Sequence, residues 1–239
     1  MAKRGNLRIY LGAATGVGTT YSMLAEAQRR RSRGAVVEVG CLTAHDRPRT
    51  VALAAEVTGD GPSPTAHLDV DEMLRRRPNA VLVDDLAVDN PKGSRRAHRW
   101  QDIDVLLDAG IDVITTLTAG HIASLAEQVQ RITGAEPEVL VPDEFLARAD
   151  QFELIDIAPE AMRRRIAHGN VFGKYFDPAE AALFNSDAFA RLRVLLMYWL
   201  ADRLASGLPP DEGGAGHHRS GASHTSSQAS GRRGLRRRR

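Results

Sequence analysis

Cysteine is almost missing from this chain of 239 residues. Cys41 stands alone, which excludes an internal disulfide and fits a reducing compartment, so a cytoplasmic location is expected. At the end of a predicted strand, Cys41 reads as a small buried apolar residue. Long apolar runs are missing too. The longest, Val194 to Leu200, has seven residues, far short of the roughly 20 that span a bilayer. Residues 1–6, Met-Ala-Lys-Arg-Gly-Asn, carry positive charge with no apolar core behind them, so no signal peptide is expected. A third shortage is local. A glycine-rich loop near the start of the chain lacks its lysine.

What is present is a globular composition, 43% hydrophobic and 26% charged, long enough for one α/β domain. The formal charge of +2 is unevenly spread. From Ser206 onward seven arginines face Asp211 and Glu212, so the remaining 205 residues carry about −3. A mildly acidic body offers no broad nucleic-acid face. The 206–239 segment is rich in Gly, Ser and His, ends in four consecutive arginines and has few apolar residues. Such a composition predicts a disordered basic tail with weak, nonspecific contacts to anions.

Strand-length apolar runs alternate with helical patterns, the signature of a parallel sheet covered on both faces. The pattern predicts strands over 7–11, 35–40, 79–84, 111–116 and 152–157. It predicts helices over 20–32, 50–57, 69–76, 100–109, 121–133, 143–149 and 159–168. Asp69 can cap the third helix, Gly110 and Gly134 can end two others, and Pro159 suits a first turn. Residues 178–205 read as two further helices, the last with an apolar stripe from Phe189 to Leu200. Met197, Tyr198, Trp199 and Leu200 are adjacent and point around that helix. Some should therefore be exposed or covered by a second chain, with a homodimer through 187–205 the simplest case.

The loop follows the first strand and opens the first helix: Gly12-Ala13-Ala14-Thr15-Gly16-Val17-Gly18-Thr19-Thr20. Small residues let successive backbone N–H groups turn around a phosphate at a helix N-terminus. A lysine normally reaches the β- and γ-phosphates, and a hydroxyl serves magnesium. Here Gly12, Ala13, Gly16, Val17 and Gly18 form the cradle and Thr20 supplies the hydroxyl, but Thr19 fills the lysine position, uncharged and too short. The strand at 79–84 runs into Asp84-Asp85, the pattern of the magnesium-side partner of such a loop. Asp84 would hold the metal through water and Asp85 would orient an attacking water. ATP with magnesium is therefore a conceivable but weakly bound ligand.

Taken in order, these segments resemble the N-terminal cytoplasmic sensor domain of the KdpD family of osmosensitive potassium-channel sensor histidine kinases. The resemblance is carried by the Gly12–Gly18 loop, the His45 and Arg47 turn, Val81-Leu82-Val83-Asp84 and Gly93-Ser94-Arg95. It continues through Arg99-Trp100-Gln101-Asp102, Leu106 to Val113, Thr115-Thr116-Leu117, His121, Ile132-Thr133-Gly134, Val141-Pro142-Asp143 and Glu153-Leu154-Ile155-Asp156. It implies a three-layer P-loop NTPase-like α/β fold with a mainly parallel sheet, C-terminal helices and a disordered tail. The sensor domain is expected over 1–205 and the tail over 206–239. The departures fall on the chemistry. Thr15 and Thr19 replace the family's proline and lysine, and the residues after Asp84 differ from the family's Glu-Leu-Ala-His-Thr-Asn. Membrane helices and a histidine kinase core are not found in these residues, and none of the histidines stands out as a phosphorylation site.

The resemblance implies a regulatory or sensing module of potassium and osmotic two-component signalling, stand-alone or truncated. A membrane sensor kinase or a response regulator of the same system would be its partner. The alternative is a weak ATP-binding protein or ATPase in which Arg95 or Arg47 replaces the lysine's charge. A third reading is a gene remnant with a fold but no selected activity. Two outcomes test the boundary and the tail. Limited proteolysis should leave a fragment close to 1–205. Any binding to nucleic acid or anionic vesicles should vanish on deleting 231–239 and fall steeply with salt; binding that persists through either change would place the site on the folded body.

Overall fold

The computed structural model describes residues 3–43, 47–59, 65–168, 171 and 186–206. The expected tail, the first of the two helices over 178–205 and the His45 side of its turn lie outside the described residues.

Five parallel strands form one sheet: β1 (Leu7–Gly12), β2 (Val37–Cys41), β3 (Ala80–Val83), β4 (Asp112–Thr118) and β5 (Gln151–Ile155). Their order is β2-β3-β4-β1-β5, so β4 lies between the loop-bearing strand and the acid-bearing strand. The central strands are largely buried on both faces and β3 is apolar throughout. The edge strands β2 and β5 carry Glu38, Gln151 and Glu153 and are only partly buried. On one face Tyr10, Leu82 and Ile114 pack under α1 (Thr19–Ser32) and α2 (Pro48–Thr58), meeting Met23, Leu24, Leu53 and Val57. On the other, Leu7, Ile9, Leu11, Val81, Val83 and Val113 form the larger core. It is closed by α3 (Val70–Arg76), α4 (Arg99–Asp108), α5 (Ala126–Thr133), α6 (Asp143–Leu146), α7 (Pro159–Ala167) and α8 (Ser186–Ser206). The result is the three-layer α/β arrangement that the alternating pattern requires.

Helix ends follow their chemistry. The Asp69 carboxylate accepts from Glu72 N–H at 2.9 Å, Gly134 ends α5 at φ 75°, and Pro159 opens α7. Two boundaries differ from the sequence expectation. The helix expected over 121–133 becomes two short 3-10 turns, Ala119–His121 and Ala123–Leu125, before α5 begins at Ala126. The cause is pairing with the segment before α6. Val141 N–H donates to His121 O, Ala123 N–H donates to Val141 O, and Ser124 N–H donates to Asp143 Oδ2. These bonds take backbone groups that a helix would need. The helix expected over 143–149 stops at Leu146 because Asp150 is drawn onto β1: Leu7 N–H donates to Asp150 Oδ2 at 2.7 Å.

The long last helix packs on the domain through Phe189, Leu192 and Leu196, all buried. Met197, Trp199 and Leu200 are half-buried, with Trp199 edge-on to Phe152 of β5. Tyr198 is 73% exposed and Val194 46%. Among the described residues no helix is long and apolar enough to cross a membrane. Truncating the inner face should therefore be costly and the outer face neutral. Phe189→Ala is expected to lose about 3–5 kcal/mol of stability and Tyr198→Ser to stay within about 0.5 kcal/mol, measured by urea unfolding. Equal effects would mean that α8 does not share the core.

Candidate phosphate-loop site

In a parallel sheet all strands end on the same side, so β1, β3 and β4 deliver their following residues to one place. β1 delivers the loop, β3 delivers Asp84, and β4 delivers Thr116 between them. The loop keeps its shape. Gly16 has φ 88° and Gly18 φ 115°, conformations open to glycine and strained for other residues. Val17 turns its side chain into the core at 2% exposure, and Ala13 is buried beside it. Thr20, at the first turn of α1, donates its hydroxyl to Asp84 Oδ1 at 3.1 Å. Loop and acid, 64 residues apart in sequence, are thus in direct contact.

Thr19 does not imitate a lysine. It is 9% exposed, and its methyl carbon would lie 3.0 Å from a Cβ placed on Gly12. The side chain fills space at the base of the loop. The same construction puts Val17 Cγ2 only 2.5 Å away, so Gly12 is required for the loop to close.

Asp84 is 2% exposed. Thr116 donates to Oδ1 at 2.6 Å, and Thr43 N–H donates to Oδ2 at 3.3 Å. Burial outweighs these donors and, with the neighbouring Asp85 charge, pushes the carboxyl from 3.8 up to about 6. Behind it Arg99, also 2% exposed, donates from Nη1 to Asp84 O and Asp85 O at 3.2 and 2.9 Å. Its Nη2 donates to Ala66 O at 2.7 Å. Asp85 is turned differently: its Oδ1 accepts from Ala87 N–H at 2.6 Å and caps its own turn. Burial also pushes the Cys41 thiol up to about 11, so it is inert at neutral pH and behaves as the buried residue expected.

Arg95 lies elsewhere. It is exposed and paired with Asp71 of α3 at 3.2 Å, across the sheet from α1 and α2. Arg47 does line the cleft over the loop and donates from Nε to Val171 O at 3.1 Å. Arg165 of α7 is nearer still to the loop, with Nη1 donating to Gly16 O at 3.1 Å and Val17 O at 2.8 Å. The cleft, about 520 Å³, is lined by Gly16, Gly18, Thr20, Tyr21, Ile155 and Ile157, with Arg47, Arg49 and Arg165 and, among the described residues, no carboxylate. Nothing in the sequence pointed to Arg165, and Arg99 and Thr116, though they stand in segments that carry the family resemblance, had no role assigned in the site. Each acts on a segment distant in sequence.

These residues fit a phosphate-bearing ligand in part. The cradle, the Thr20 hydroxyl and Asp84 are together, and they are the groups that would hold a magnesium ion. Among the described residues no group of three or more His, Cys, Asp or Glu could hold a metal, so an ion here would depend on oxygens from the ligand. The cation for the terminal phosphate is what Thr19 fails to supply.

A titration follows from Asp84. Its folded value is raised, so the stability associated with the neutral carboxyl is complete below about pH 4 and is lost as the pH rises through about 6. Asp84→Asn mimics the neutral form, and its amide can face the two threonine hydroxyls while its carbonyl accepts from Thr43. The substitution should stabilise the chain by on the order of 2–3 kcal/mol at pH 8 and by little at pH 4. Thermal unfolding across that range checks it, and a gain independent of pH would refute the buried-charge account.

The comparisons with known proteins agree with this geometry. The model of the family described as the osmosensitive K+ channel His kinase sensor domain, KdpD, matches residues 3–204. The Sensor protein KdpD of Mycobacterium tuberculosis is 46% identical over 209 residues, covering 84% of this chain and 24% of that protein. The Sensor protein KdpD of Escherichia coli K12 is 39% identical over 211 residues, with 84% and 23% covered. That of Clostridium acetobutylicum is 37% identical over 212 residues, with 84% and 23% covered. The chain spans about a quarter of the length of these curated relatives. With a match across nearly all the described residues, the chain belongs to the KdpD sensor-domain family.

Proposed function

We propose that this chain is a cytoplasmic regulatory or sensing module of potassium and osmotic two-component signalling, and that it carries out no phosphoryl transfer of its own. One observation carries this reading: the loop keeps its shape and its contact with Asp84, while Thr19 is buried as packing where the lysine's charge should stand. Catalysis of phosphoryl transfer depends on charge placed at oxygens that become more negative in the transition state. A loop without that charge can still adopt or lose a shape, which is what a sensing element needs. The partner in this reading is a membrane sensor kinase or a response regulator of the same system, met by a domain over 1–205. Contact through 187–205 with a second copy belongs to the same proposal, since Val194 and Tyr198 stay exposed on α8.

The second reading is weak binding of ATP, with magnesium at Thr20 and Asp84 and an arginine in place of the lysine. The three arginines that line the cleft, Arg47, Arg49 and Arg165, favour it. Of the two arginines singled out in the sequence, Arg47 supports this reading by position and Arg95 does not.

Calorimetry with ATP and magnesium separates the two. A hydrogen bond to a charged group contributes roughly 1.5–3 kcal/mol. Thr19→Lys should therefore tighten binding by about tenfold to somewhat over a hundredfold from a millimolar-range starting point. Low-micromolar affinity in the native chain would favour the arginine-assisted site over the sensing-only reading. No binding by either form would leave the domain a scaffold.

A further inference from the structure

We propose that Arg165 is a positioning residue of the phosphate loop: it holds two peptide units of the loop in the orientation that receives a phosphate-bearing anion. This rests on the second reading above, in which the cleft takes such a ligand.

Arg165 stands in the last turn of α7. A single guanidinium nitrogen donates to both Gly16 O and Val17 O, at 3.1 and 2.8 Å. In a trans peptide unit the C=O and the N–H point in opposite directions. Fixing these two carbonyls toward α7 therefore turns the N–H groups of Val17 and Gly18 the other way, into the loop. Neither N–H has an acceptor among the described residues. A cation on the carbonyl side also polarises both units and strengthens their N–H groups as donors. The lysine of an intact loop would reach past the loop to the ligand. Arg165 instead works from behind, through the backbone, and the ligand it prepares for is held by N–H groups around one phosphate or pyrophosphate.

The loop cannot drift away on that flank. A Cβ on Gly16 would lie 2.6 Å from Val171 Cγ1, and Val171 is in turn held by Arg47. Arg165 shares the cleft with Arg47 and Arg49, and among the described residues that line it there is no carboxylate. Arg165 also ties the loop to α7, which packs on α8, so a change in loop shape has a direct route to the C-terminal helix.

The test uses the full chain, with Arg165→Gln, Arg165→Lys and, as a cleft arginine that does not touch the loop, Arg49→Gln. Backbone ¹⁵N relaxation is read at the Val17 and Gly18 amides without ligand, amide hydrogen exchange is read in β1 and β4, and inorganic pyrophosphate and ATP are titrated by calorimetry. Arg165→Gln should lower the order parameters of Val17 and Gly18 from about 0.85, the rigid-backbone level, toward about 0.6, while the amides of β1 and β4 keep their slow exchange. It should weaken pyrophosphate binding by about tenfold. Arg165→Lys should recover part of both effects, and Arg49→Gln should leave the order parameters unchanged. Faster exchange at β1 and β4 in Arg165→Gln would mark loss of the fold, and Arg165→Lys then decides on the same two amides. Unchanged order parameters at Val17 and Gly18 overturn the proposal, whatever the affinity. Lowered order parameters in a chain that binds neither pyrophosphate nor ATP uphold the positioning role and defeat the ligand reading instead.

Discussion

Three separate segments meet at the carboxylate of Asp84, and a fourth holds its backbone. Thr20 reaches it from the first turn of α1, Thr116 from the end of β4, and Thr43 from the segment after β2, while Arg99 of α4 grips the backbone that carries it. These contacts tie the ends of β1, β2, β3 and β4 together on the side of the sheet where the loop lies. Without the acid at that point two buried hydroxyls and a backbone N–H would lose their shared acceptor, and each orphaned group costs about 1–3 kcal/mol. The junction thus fixes where the loop sits, while Gly12, Gly16 and Gly18 set the shape it takes.

Such a junction is an expensive way to hold a fold together. A carboxylate at 2% exposure, raised to about 6 by its own burial, is a strained group by comparison with an apolar residue of similar size. Buried groups with perturbed titration and a specific set of partners cluster at functional sites. Asp84 has both marks of such a group, and the stability given up there is recovered from the two cores on either side of the sheet.

Against that retained acid stands the missing cation. Thr19 has become packing, and positive charge arrives instead from three arginines on other elements, one of them bonded to the loop's carbonyls. Shape and charge have thus come apart in this site. Thr20 still meets Asp84 and the turn keeps its shape, Thr19 brings no charge, and two of the three arginines, Arg165 and Arg47, donate to backbone carbonyls. A sheet end built this way suits an element that changes state when an anion arrives more readily than one that transfers a phosphoryl group.

The fold was legible in the sequence because its signals are local. Apolar runs at strand length, Asp69 before α3, Gly134 after α5 and Pro159 at α7 each act within a few residues, and each structure element followed. Where local signals failed, backbone pairing won, as when Val141 drew His121 and Ala123 out of a helix. The site was legible by halves. The loop and Asp84 could be read because each closes a strand, and the lost lysine could be read because its position in the loop is fixed. The lysine's replacement could not be read: Arg95 and Arg47 look alike in sequence, yet one pairs with Asp71 and the other lines the cleft. Sequence alone settled that the glycine loop follows the first strand, that Asp84 follows the third and that the charge at Thr19 is absent. Only the tertiary structure decided that β4 brings Thr116 to Asp84 and that Arg165, 148 residues from Val17, stands behind the loop. Strand order and helix packing set those distances, and nothing in the residues near either partner encodes them.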